Sequence, residues 1–215
     1  MTRLVIVGAG GFGREVLDIV EATNAVSPMF DLIGFVDDDD SLDLELLNRR
    51  GAAFLGSVDV LADLDACYVI AIGSPSARRS VAARIACWPR HPVSMVHPLS
   101  TIASEVRLEP GAVLAPGARI STNIRIGPHF HANPNATVGH DCVIGGHVTL
   151  SPGAHISGNV TLGDGVLVGT GAVVIQGCTV GEWAVIGAGA VVVRDVAAGA
   201  TVAGVPARSQ ADRAI

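Results

Sequence analysis

From Val96 to Val192 an aliphatic residue returns at every sixth position without losing phase: Val96, Ile102, Leu108, Leu114, Ile120, Ile126, Ala132, Val138, Ile144, Leu150, Ile156, Leu162, Val168, Val174, Val180, Ile186 and Val192. Only Ala132 is not Val, Ile or Leu. A second series of mostly small residues trails the first by four positions, including Ala112, Ala118, Ala136, Cys142, Ala154, Ala172, Cys178, Ala184 and Ala190. A beat of six matches neither a helix at about 3.6 residues nor a two-faced strand at about 2. It predicts a parallel β-helix of hexapeptide repeats, in which each short strand points one large and one small side chain inward before the chain turns. One coil cannot bury its own aliphatic face, so coils must stack, at roughly 4.8 Å each. With three strands per coil, residues eighteen apart lie above one another. Glycine often follows the aliphatic residue, as at Gly127, Gly139, Gly145, Gly163, Gly169, Gly181 and Gly187, where the expectation is a tight bend.

The segment before the repeat alternates differently. Leu4 to Val7 reads as a buried strand, Gly8-Ala9-Gly10-Gly11-Phe12-Gly13 as a turn, and Arg14 to about Ala22 as a helix. A second strand spans Asp31 to Asp37 and is followed by carboxylates through Asp40. A third, Tyr68 to Ile72, ends at Gly73-Ser74-Pro75 and leads into a helix from Ser76 to about Ala86. Strand, glycine turn and helix in this order bring backbone close to a phosphate or ribose. The same signature opens dinucleotide-binding dehydrogenases, but a full dinucleotide fold needs two mononucleotide halves, and residues 1–92 hold only one. The fold class is therefore an α/β half-Rossmann-like domain over 1–92, followed by a hexapeptide β-helix over 93–215, with the boundary near Pro92 to Pro98.

Composition narrows the function. The net charge of −6 and the absence of a basic stripe exclude a nucleic-acid partner, and every cation is arginine. Mean hydropathy is +0.49, yet no long apolar run free of charge and glycine occurs, so the hydrophobicity belongs to the repeat core and no membrane partner is expected. The amino terminus lacks a cleavable leader pattern, so a cytoplasmic location is expected. Cys67, Cys87, Cys142 and Cys178 have neither metal nor disulfide spacing. Arg14, Arg78, Arg79, Arg194 and Arg208 are candidates for phosphate contact, with surface solvation as the default for each.

His129, His131, His140, His147 and His155 fall in consecutive repeats and in neither inward slot, so they are expected to project outward. His140 is set apart by its neighbour. A carboxylate beside an imidazole at a turn fixes its tautomer and raises its basicity, as a general base requires. Zinc ligation by His129, His131, His140 and His147, in the manner of a γ-class carbonic anhydrase, is an alternative use of the same residues. A catalytically silent binding scaffold is another.

The opening GAGGFGREV, the strand ending in VDDD, the AIG turn, the GHDCVIG motif, the GNVTLG and VGTGAVV repeats and the closing GVPAR at Gly204 to Arg208 together resemble the NeuD and PglD type of hexapeptide sugar O- and N-acetyltransferases, across both domains. The resemblance implies a left-handed β-helix, a homotrimer, and acetyl-CoA held between two solenoids with no metal. It implies that His140 is the general base and Asp141 its partner. It assigns cofactor contacts to Thr149, Thr170 and Ala188, the last two in phase and eighteen apart, and nucleotide-sugar contacts to Gly10, Gly11, Phe12, Asp37, Asp38 and Gly73. Two positions depart from relatives, which often carry histidine where Thr149 and Phe12 stand. The acceptor implied is the amino group of a nucleotide-linked amino sugar, with a sialic-acid-type hydroxyl as the alternative.

Overall fold

A computed structural model describes residues 1–210. The first domain runs β1 (Thr2–Val7), α1 (Gly11–Val26), β2 (Phe30–Val36), a one-turn helix α2 (Glu45–Asn48), β3 (Phe54–Gly56), β4 (Cys67–Ile70) and α3 (Pro75–Ile85). Its strands form a parallel sheet in the order β3-β2-β1-β4. Leu4, Val5, Ile6 and Val7 are all fully buried, because β1 is covered on both faces. Leu4 and Ile6 pack against Val16, Ile19 and Val20 of α1, whereas Val5 and Val7 pack against Ala82 and Ile85 on the α3 side. With β2 on one side of β1 and β4 on the other, the order reverses at β1, and the carboxyl ends of β1 and β4 border a crevice of the kind that holds ligands in open α/β sheets.

Helix α1 starts earlier than the glycines suggested. Gly11, Phe12 and Gly13 form its first turn, and Gly10 is the N-cap without a side-chain capping bond. β3 and α2 were not anticipated, since neither carries a periodic pattern long enough to read.

The repeat region folds into three sheets of eight, six and five strands, parallel except for the last strand of the largest, Arg208–Ser209, which pairs antiparallel with Thr201–Ala203. A first face begins at Met95–Val96, a second at Thr101–Ile102 and a third at Val106–Leu108. Pairing follows the eighteen-residue step, as in His131 with Thr149 and Val138 with Ile156. From Leu114 to Val192 every aliphatic anchor is buried in one continuous core. The exception at Ala132 is resolved by Phe130, fully buried in the slot where other coils carry a small residue. Large and small exchange places in that coil and its volume is kept. Ile124 and Val148 fill the same slot.

The glycines after the anchors are not at the bends. At Gly163, a Cβ would lie 2.6 Å from the nitrogen of Glu182 in the next coil, so the constraint is coil-to-coil approach rather than backbone conformation. The left-handed bends fall two residues later. Every sixth residue from Glu105 to Gly189 has positive φ, among them Asn123, His129, Asp141 and His147. Asn and Asp tolerate that region best among side chains, which explains their choice here.

The first domain sits on the first face of the solenoid, where Met95, Val113 and Ala115 join its core. The clasp between them is Arg78 of α3, expected at the surface but fully buried. Its guanidinium donates to the carbonyls of Ile72 (2.7 Å) and Gly73 (3.2 Å) beside the crevice, and to those of His129 (2.9 Å) and His147 (2.6 Å) and the Thr149 hydroxyl (2.9 Å) on the solenoid. Burial without a carboxylate lowers its pKa to about 9. The planar fork reaches partners on three segments at once, which an ammonium cannot do. Arg78→Met is expected to destabilise the chain by about 3 kcal/mol or more in denaturant unfolding, because the stranded carbonyls stay buried. Arg78→Lys should recover only a minor part.

Candidate active site

The glycine turn shows which glycines serve the fold and which leave room. A Cβ at Gly8 would come within 2.6 Å of the Ala71 carbonyl, and one at Gly13 would strike the Gly8 carbonyl, so both are needed for close packing. At Gly10 and Gly73 a Cβ would meet nothing within 4 Å, and at Gly11 only the Arg14 guanidinium at 3.9 Å. None of these three has a positive φ. Neither packing nor backbone conformation accounts for them. The space above them adjoins the uncapped N–H groups of α1.

The two carboxylates after β2 first serve the protein. Asp37 accepts from the backbone nitrogens of Ala9 (2.7 Å) and Asp39 (3.0 Å), which braces the glycine turn. Asp38 accepts from Val58 nitrogen (3.0 Å) and pairs with Arg84 (2.7 Å). Phe12 leans on the His131 ring at 5.1 Å and helps to wall a hollow of about 120 Å³ with Glu15, Ile19, His97, Pro116 and Pro134.

Beneath the crevice, three of the five histidines point out of the solenoid but not into solvent. His131 is fully buried, His129 nearly so, and His147 stacks on His129 at 5.2 Å, with Tyr68 beyond. Burial first, then the neighbouring His147 and the Arg78 charge, lowers the His129 pKa to about 4. Burial and Arg78 hold His131 well below its ordinary range, and burial does the same more mildly to His147. Among the described residues, Nδ1 of His129 and Nδ1 of His147 have no hydrogen-bond partner. The zinc alternative drew on these three together with His140. The structure places His140 on a different edge and packs the other three around a cation, an unfavourable setting for a metal ion.

Thr149 differs from the other two cofactor candidates in its surroundings. Its side chain is buried, and its hydroxyl donates to the Gly73 carbonyl (3.0 Å) while accepting from Arg78 (2.9 Å). Its one hydroxyl proton is therefore engaged within the clasp. Thr170 and Ala188 are exposed and stacked at the corner between the first and second faces, above Pro116, Pro134 and Pro152.

His140 and Asp141 occupy the next corner, between the second and third faces, and here the expected pair is intact. Nδ1 of His140 lies 2.6 Å from Oδ2 of Asp141, and the two side chains are 64% and 49% exposed, so the pair is open on the outer surface of its own chain. With Nδ1–H directed to the carboxylate, Nε2 is left as the free acceptor. The other carboxylate oxygen of Asp141 accepts from the Asn123 amide at 2.6 Å. That bond, and then the one to His140, holds the Asp141 carboxyl below its usual range. His155 is instead tied to Thr137 on the second face (2.9 Å). A single chain thus displays the base candidate on one edge and the exposed cofactor candidates on another.

Residues 3–85 match the PglD N-terminal domain, and residues 159–194 match the bacterial transferase hexapeptide of six repeats. WeeI from Acinetobacter baumannii is 32% identical, with a TM-score of 0.83 over 97% of this chain and 100% of that one. The acetyltransferase domain of PglB from Neisseria gonorrhoeae, in complex with acetyl coenzyme A, is 31% identical, with a TM-score of 0.85 over 97% and 98% of the two chains. The chain belongs to the NeuD/PglD-type hexapeptide acetyltransferase family. PerB from Caulobacter crescentus, in complex with CoA and GDP-perosamine, is 28% identical, with a TM-score of 0.87 over 98% of each chain. No curated protein matches. As a NeuD/PglD-type protein the chain is a sugar acetyltransferase, and its fold is a half-Rossmann-like α/β domain followed by a left-handed β-helix of hexapeptide repeats. Among the described residues no helix is long and apolar enough to cross a membrane.

The buried histidines of this NeuD/PglD-type chain make its stability pH-dependent. Folded, they bind fewer protons than in the unfolded chain between the ordinary value of 6.5 and the value of about 4 at His129. Their contribution is complete above pH 6.5 and is lost as pH falls through that window. The melting temperature is expected to drop progressively from pH 7 to about pH 4.5. His131→Met should flatten the drop, and an unchanged slope in that variant would remove His131 from the cause.

Proposed function

We propose that this enzyme transfers the acetyl group of acetyl-CoA to the amino group of a nucleotide-linked amino sugar, with His140 as general base. The observation that carries the reading is the His140 imidazole, tethered through Nδ1 to Asp141 and presenting Nε2 at an exposed corner. The acceptor nitrogen attacks the thioester carbonyl; Nε2 takes its proton, the C–N bond forms, and the C–S bond breaks as the thiol leaves with the proton returned from His140. No acyl-enzyme is required. Asp141 stabilises the transient imidazolium and keeps the reactive tautomer.

In this reading residues 1–92 hold the nucleotide sugar and 93–215 carry out the transfer. Gly10, Gly11, Phe12 and Gly73 line the nucleotide-sugar crevice, supported by the open space above the glycines. Asp37 and Asp38 shape it from behind. Thr170 and Ala188 line the pantetheine path. The separation of that path from His140 within one chain supports a homotrimer in which each site takes its two edges from two copies. The amine is favoured over a hydroxyl acceptor by the perosamine N-acetyltransferase of Caulobacter crescentus among the relatives. Acetyl-CoA and nucleotide sugars are cytoplasmic metabolites, which supports that location.

His140→Ala is expected to lower turnover by about 10²- to 10⁴-fold while leaving acetyl-CoA affinity nearly unchanged, as measured by thiol release and calorimetry. Near-normal turnover would strip His140 of the role. A thermal-shift panel of UDP, GDP, dTDP and CMP derivatives identifies the acceptor class, because the one that binds the native state raises its melting temperature. No response to any of the four would count against the nucleotide-linked acceptor.

A further inference from the structure

Beyond His140 and Asp141, two residues in the coils on either side of the pair touch it directly. Asn123 lies one coil below Asp141, in the same left-handed bend position, with φ of 55° against 60°. Its amide donates to Oδ1 of Asp141 at 2.6 Å. Without that bond a half-exposed carboxylate rotates freely about its side-chain torsions; with it, Oδ2 stays 2.6 Å from Nδ1 of His140. On the opposite side, Gly158 lies one coil above His140. A Cβ there would fall 2.6 Å from both Nε2 and Cε1 of the imidazole, so the ring rests over backbone that only glycine leaves uncovered. Gly158 has no positive φ, so its identity is a matter of space rather than of conformation.

We infer that Asn123 and Gly158 are positioning residues for the His140–Asp141 pair, Asn123 fixing the carboxylate and Gly158 providing the seat for the imidazole. The inference rests on His140 being the base. Neither residue gives or takes a proton in the transfer. Asn123 sets the orientation of the acid that sets the tautomer, and Gly158 determines where Nε2 sits in the intersubunit cleft.

The bend conformation dictates the test. Alanine at 123 would strain a left-handed residue, whereas Asn123→Gly removes the amide and keeps the backbone. Asn123→Gly is expected to lower kcat about 10- to 100-fold, by analogy with the loss of an outer-shell partner that orients a metal-ligating histidine. KM for acetyl-CoA and the melting temperature should be nearly unchanged. In an Asp141→Gly background the same change should have no further effect, because Asn123 acts only through Asp141. Asn123→Asp sets a second carboxylate against the first, and the added negative charge should move the acid limb of the kcat/KM profile to higher pH. Gly158→Ala should lower kcat in the parent enzyme and have no effect on a His140→Ala enzyme.

An equal loss from Asn123→Gly in both backgrounds, or a loss tracking the melting temperature, would overturn the inference by making Asn123 merely structural. Normal kcat in Asn123→Gly and Gly158→Ala, with His140→Ala inactive, would overturn it and leave the base assignment standing. Normal turnover in His140→Ala would overturn both.

Discussion

Coil-on-coil stacking constrains everything else in this molecule. Because three short strands close each turn of the solenoid, every side chain acquires neighbours eighteen residues away on both sides. The hydrophobic consequence is the continuous core that holds the anchors from Leu114 to Val192. The polar consequence is vertical ladders at the corners. At one corner the ladder is Asn123 and Asp141, an amide donating to an acid; at another it is His129 and His147, two imidazoles face to face. The same geometry that buries aliphatic residues thus builds a braced acid–base pair without any long-range fold.

The second organising interaction is the Arg78 clasp. It joins the domain bearing the glycine crevice to the solenoid bearing the acid–base pair, through carbonyls and a hydroxyl and without a partner carboxylate. Burial first, and then the charge of this cation, keeps the surrounding imidazoles neutral. That explains how histidines close in sequence come to have separate fates. His140 is solvent-facing and tethered to an acid, whereas His129, His131 and His147 lie against a positive charge.

The phase of the repeat could be read from spacing alone, since a six-residue beat has one structural solution. The His140–Asp141 pair was readable because its members are adjacent in sequence. The burial of Arg78 and Thr149 is not legible in the sequence for one reason: each owes its environment to contact between domains, about seventy residues apart in the chain, which no local pattern records. The glycines after the anchors were assigned to the bends because a glycine's need for space and its need for positive φ look alike in one dimension. The signal for the bends is present, as Asn, Asp or Gly at many of the sixth positions from Glu105 onward, two residues beyond the glycines that follow the anchors. The exchange of Phe130 and Ala132 was also present, visible once both inward slots are considered together.

The ladder at the second corner limits how such a chain can change in length. A prism made of equivalent turns tolerates duplication of a whole turn beyond Val192, past the stacked Thr170 and Ala188, because the new segment inherits the phase of its neighbours. The same duplication placed between Asn123 and Asp141 would part the amide from the acid, and a single-residue insertion there would turn the corner inside out. Copy number is therefore free at the distal end of the prism and frozen across the coils that frame His140.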